Sequence, residues 1–150
     1  MGPPLSSARI LLDTNVLSEL MRPRPDPVVL DWFATQGRQT RFLISAITQA
    51  EILLGIALLP AGKKRSALSE VAQAMFEQEF HGLNLAFDAP AAPLYAAIVA
   101  RCSRNGTPMS VEDAQIAAIA SQHGLPLATR NTRDFSKVPG LVLINPWEAA

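Results

Sequence analysis

Ile10-Leu11-Leu12-Asp13-Thr14-Asn15-Val16-Leu17 passes from one kind of regular structure to another within a few residues. The apolar run at 9–13 reads as a short buried strand, and the pattern from Val16 to Met21 reads as a helix. A carboxylate sits at the junction. A charge ending an apolar strand is costly unless it is hydrogen-bonded, paired or bound to a cation. Asp13 therefore has two readings: an N-cap for the helix beginning near Thr14, or a functional group at the C-terminal end of a strand.

Similar junctions recur along the chain. Pro23, Pro25 and Pro27 break the first helix, and a second, carrying Trp32 and Phe33, starts after Pro27. Strands are expected at 41–45, 83–87, 125–129 and 141–144, and helices at 47–59, 63–80, 90–104 and 110–123. The amphipathic stretch 63–80 places Leu68, Val71, Ala72, Met75 and Phe76 on one face. Trp32, Trp147, Phe76 and Phe80 read as core. Strands alternating with helices predict an α/β fold: a central parallel sheet of about five strands with helices on both faces and right-handed crossovers.

With 49% hydrophobic and 17% charged residues, the chain can build a packed core. Its 150 residues suit one domain, expected at 9–150 behind a flexible leader at 1–8. The net charge of +0 is not that of a protein that coats nucleic acid. It leaves room for a nuclease, because clustered acids cancel positive charge placed elsewhere. A single cysteine, Cys102, rules out an internal disulfide and fits a reducing compartment. No apolar run approaches the ~20 residues of a membrane span, and no signal peptide is evident, so a cytoplasmic protein is expected.

Three further acids bear on function. Glu51 is the one ionisable residue in the apolar stretch 46–60. Thr48-Gln49-Ala50-Glu51 has capping-box spacing, but Ser45 is an equally good cap, and Glu51 would then lie in the second turn, on a face with Ile47, Leu54, Gly55 and Leu58. Asp113 opens the apolar helix Asp113-Ala114-Gln115-Ile116-Ala117-Ala118-Ile119-Ala120. There it either serves the helix dipole with Glu112 or projects with Ile116, Ala117 and Ala120 toward the sheet. Asp134 falls in an expected loop beyond the strand ending at Thr129, and Asn131 competes for its role. In parallel sheets, sites form beyond the C-terminal ends of the strands. Acids converging there would repel one another unless a hard cation such as Mg²⁺ or Mn²⁺ joined them.

The ordered segments Leu11-Leu12-Asp13-Thr14-Asn15-Val16-Leu17, Ser45-Ala46-Ile47-Thr48-Gln49-Ala50-Glu51-Ile52, Asp113-Ala114-Gln115-Ile116-Ala117-Ala118 and Ala128-Thr129-Arg130-Asn131 through Phe135 carry a family resemblance. From Ile10 to Trp147 the chain resembles the PIN-domain ribonucleases, in particular the VapC-type toxins of toxin–antitoxin pairs. The resemblance implies a PIN-like three-layer fold and a Mg²⁺- or Mn²⁺-dependent endoribonuclease with Asp13, Glu51 and Asp113 as its core acids. The family's fourth acid varies in position. Here Asn131 occupies the place directly after Thr-Arg, and Asp134 lies three residues on. Thr14, Asn15 and Thr129, with Asn131, would support the acids.

RNA would be gripped by local cations, with Arg130 and Arg133 best placed. Lys63-Lys64-Arg65 reads as a solvated helix start, and Arg22 and Arg24 flank the proline-rich loop. His81 and His123 lack ligand spacing and read as structural. The expected partners are an RNA substrate, a cognate antitoxin and a second copy in a homodimer. Two rival readings differ in chemistry. A phosphotransfer or dehalogenase-like domain would use Asp13 as a nucleophile but wants a lysine after a late strand, and only Lys137 is near. A PIN-like module that binds RNA or protein without cutting would have no use for three costly acids.

Overall fold

The computed structural model describes residues 8–148, so all of the expected leader except Ala8 lies outside the described residues. Five parallel strands form one sheet: β1 (Arg9–Leu12), β2 (Arg41–Ser45), β3 (Asn84–Leu85), β4 (Leu127–Ala128) and β5 (Leu143–Ile144). Helices α1 (Thr14–Leu20) and α2 (Pro27–Thr35) join β1 to β2. Helices α3 (Ala46–Ala57) and α4 (Lys63–Ala74), the latter continued by a π-helical segment Met75–Glu79, join β2 to β3. Helices α5 (Ala91–Arg104) and α6 (Val111–His123) link β3 to β4, and the single turn α7 (Thr132–Phe135) precedes β5.

Two apolar layers follow from strand alternation. Leu11, Leu43 and Leu127 face α5 and α6, packing on Ile98, Cys102, Ala114 and the run Ile116–Ala120. Ile10, Leu12, Ile44 and Ala128 face the other way, onto Val16, Leu17, Ile52, Ile56, Ala72 and Met75. The central strand β1 is thus buried on both faces, which explains its unbroken apolar run.

The strand order β3-β2-β1-β4-β5 sets the position of the site. From β1 the chain winds outward through β2 to β3, then crosses back to lay β4 on the other side of β1. The winding direction reverses between β1 and β4, and at such a reversal a crevice opens beyond the strand ends. The register Leu11↔Leu127 and Leu12↔Ala128 brings Asp13 and Thr129 out side by side at that crevice.

The last three strands are shorter than expected. β3 and β5 are edge strands with one neighbour each, and in β4 Pro126 has no N–H to give the ladder. Val71, expected on the buried face of 63–80, is 42% exposed, while Ala72 and Met75 are buried. On α3 the buried stripe is Thr48, Ile52 and Ile56, and Leu54 and Leu58 point to solvent. Asp134 is in the turn of α7, not a loop. Among the described residues no helix is long and apolar enough to cross a membrane.

Candidate active site

Asp13 caps a helix and also lies at the strand end beside the crevice. It is the N-cap of α1, its Oδ1 accepting from Thr14 N at 2.8 Å, and it is buried at the crevice. Its other oxygen, Oδ2, accepts from Thr129 Oγ1 at 2.8 Å. That hydroxyl in turn accepts from Asn131 N at 2.9 Å and from Asn15 Nδ2 at 3.4 Å. Asn15 Oδ1 accepts from Arg130 N at 3.2 Å. Asn15 and Thr129 thereby tie the end of β1 to the end of β4 and fix the orientation of Asp13.

Glu51 stands across the crevice. Ser45 Oγ accepts from Thr48 N at 3.1 Å, so Ser45 is the cap of α3 and Glu51 is free of any capping box. Thr14 Oγ1 donates to Glu51 Oε1 at 2.7 Å and lies 3.0 Å from Thr48 Oγ1. Thr14 has one hydroxyl proton, and Glu51 takes it, so Thr48 is the donor in the second contact. Asp113 enters from α6, whose cap is Ser110 Oγ on Asp113 N at 3.1 Å.

Electrostatics mark out Asp13 and Asp113. Burial raises Asp13 from 3.8 to about 6. The Thr129 and Thr14 hydrogen bonds oppose the rise, and the charges of Asp113 and Glu51 add to it. Asp113 is raised by burial and by the charges of Glu51, Asp134 and Glu112, against the Ser110 bond. Among the described residues no three acid, imidazole or thiol side chains close into a ready cage. The three carboxylates are tied to separate elements and repel one another. Oxygen donors that repel in this way suit a hard cation that keeps several waters and needs few protein ligands.

Asp13, Thr14, Asn15, Glu51, Asp113, Arg130 and Asn131 line one cavity of about 510 Å³, with Thr129 buried behind Asp13. Arg133 and Asp134 do not line it. Both are exposed on α7, and Asp134 reaches the site through its field on Asp113. His81, His123, Lys63 and Arg65 are also absent from the lining. Arg22 is present, and with Thr14, Ser18 and Glu51 it also borders an apolar groove of about 500 Å³ that runs to Lys64 and Leu68.

Three lining residues, Ser18, Glu19 and Trp147, were not foreseen. Glu19 is buried, accepts from Asp26 N at 3.0 Å and pairs with Arg22 at 3.3 Å. Trp147, expected in the core, stands partly on the cavity wall with the Arg130 guanidinium carbon 4.9 Å from its ring centroid. Glu19 lies one helical turn beyond Asn15 and Val16, and Asp26 N from the loop after α1 hydrogen-bonds to it. No sequence signal marks that.

Residues 10–141 match the model of the PIN domain, and the chain belongs to this family. Its relatives include the plasmid stability protein StbB of Pseudomonas syringae pv. tomato, 44% identical over 93% of this chain and 99% of that one. The VapC ribonuclease Y4jK of Sinorhizobium fredii is 42% identical over 94% and 99%. Among solved structures, FitAB bound to an IR36 DNA fragment superposes with a TM-score of 0.84 at 40% identity, covering 94% of this chain and 97% of that one.

Proposed function

We propose that this chain is a toxin-type endoribonuclease that hydrolyses RNA phosphodiester bonds with Mg²⁺ or Mn²⁺ held by Asp13, Glu51 and Asp113. One observation carries the reading: three carboxylates from distant parts of the sequence line a single cavity where the sheet reverses its winding, and two of them are raised by burial and by their neighbours' charge. Such a cation supplies Lewis-acid chemistry, acidifying water and offsetting charge on the phosphodiester. The protein's own contribution is orientation. Thr129 and Thr14 hold oxygens of Asp13 and Glu51, and Asn15 locks Thr129 and Arg130 to the end of β1.

Arg130 meets the RNA backbone at the cavity wall, and Arg133, exposed on α7, meets it further out. Asn131 is the polar residue of its segment at the cavity, and Asp134 acts on Asp113 from outside. The ribonuclease name of the Sinorhizobium relative and the FitAB complex support both the chemistry and a protein antitoxin as partner. A homodimer working in the cytoplasm completes the proposal.

The test is incubation of the purified protein and its Asp13→Asn variant with single-stranded and structured RNAs in Mg²⁺, Mn²⁺ or EDTA. Cleavage by the wild type alone, silenced by EDTA, is expected. Binding without cleavage in every metal would replace the ribonuclease reading with that of a binding module.

A further inference from the structure

Arg130 lines the same cavity as three carboxylates, yet it pairs with none of them. Among the described residues the one ion pair is Arg22 with Glu19. What holds Arg130 instead is Trp147. The segment after β5 is turned back by Asn145, whose Oδ1 accepts from Trp147 N at 2.9 Å and whose backbone O accepts from Glu148 N at 3.1 Å. The turn seats the indole against the cluster that contains Ile144 and presents it to the guanidinium, 4.9 Å away. Asn15 fixes the arginine's backbone from the other side.

A guanidinium stacked on an indole is already ordered, so it loses less freedom on gripping a ligand. Its exposed side remains free for a phosphate or for an unpaired base, which stacks on arginine planes. So held, Arg130 makes no ion pair with the acids that share its cavity.

We infer that Trp147 and Arg130 form a binding subsite for single-stranded RNA, in which Trp147 is a positioning residue that holds Arg130 at the cavity wall and off the carboxylates. The inference rests on the ribonuclease reading and deepens it.

The test measures the affinity of a short fluorescently labelled single-stranded RNA, with Ca²⁺ replacing Mg²⁺ so that binding is read apart from cleavage. Trp147→Leu and Arg130→Gln should each bind about 5-fold more weakly. The double variant should be no weaker than either, because Trp147 acts through Arg130. Trp147→Phe should recover most of the affinity, and Trp147→Leu should also weaken Mn²⁺ binding unless Arg130→Gln accompanies it. Independent, additive losses, or full affinity in Trp147→Leu, would overturn the inference. If Trp147→Leu fails to fold, Arg130→Lys serves, since it keeps the charge and loses the planar stack; affinity equal to wild type would then refute it. Absence of any RNA binding by the wild type would instead strike the ribonuclease reading itself.

Discussion

Replacing Asp13 by Asn should make the metal-free protein more stable at neutral pH while destroying its activity. The folded protein raises this carboxyl from 3.8 to about 6, so it holds the Asp13 proton more tightly than the unfolded chain does. A raised acid contributes stability that is fully present below 3.8 and is lost as the pH rises through about 6. By linkage the loss amounts to about 3 kcal/mol once both states are ionised. Asn carries no charge and escapes that loss. It can still cap α1 by accepting from Thr14 N, but its amide then faces Thr129 Oγ1, which already accepts from Asn131 N and Asn15 Nδ2. Loss of the Thr129 bond costs about 1 kcal/mol. The net gain near pH 7.5 is about 2 kcal/mol, or about 4–8 °C in Tm for a domain of this size. Near pH 4 the linkage loss is only about 0.5 kcal/mol, so the variant should be the less stable by about 0.5 kcal/mol. Melting curves in EDTA at the two pH values measure the difference directly, and adding Mn²⁺ at neutral pH should reverse the order, because only the wild type gains from binding. An Asn variant that stands in the same relation to wild type at both pH values would refute the reasoning, for it would mean that Asp13 pays no burial cost.

The remaining acids give a parallel expectation: Glu51→Gln and Asp113→Asn should each abolish metal-dependent RNA cleavage while circular dichroism shows the fold unchanged. Thr129→Val removes the donor to Asp13 and the acceptor for Asn131 N, so it should cost about 2 kcal/mol in urea unfolding and most of the cleavage rate, with Thr129→Ser close to wild type. Glu19→Ala leaves Asp26 N without its acceptor and Arg22 without its partner. It should lower the urea midpoint by the equivalent of about 1–2 kcal/mol, and Glu19→Gln, which keeps a carbonyl for Asp26 N, should recover most of that.

The sheet and its helices were legible because each element carries its own period. Ile10 to Leu12 and Phe42 to Ile44 are apolar enough to be buried on both faces, α5 presents one apolar side, and α6 is buried all round over Ile116–Ala120. Asp13, Glu51 and Asp113 were legible for a related reason: a charge on an apolar element needs an explanation, and one cavity supplies it for all three. Long-range closure was not legible. Glu19 shows its partners only once Asp26 N and Arg22 are brought to it, and Trp147 packs on the core as read but also turns a face to Arg130. Asp134 was nominated for its nearness to the strand ending at Thr129; it is absent from the cavity lining, yet its charge raises Asp113.

The hydrogen bond between Asp13 and Thr129 joins residues 116 apart in the chain. During synthesis Asp13 leaves the ribosome on the order of 10 s before Thr129 is made. Until then β1 lacks β4, the crevice has one wall, and α6 has yet to deliver Asp113. The candidate site is thus assembled late in synthesis, when β4 and α6 have joined β1.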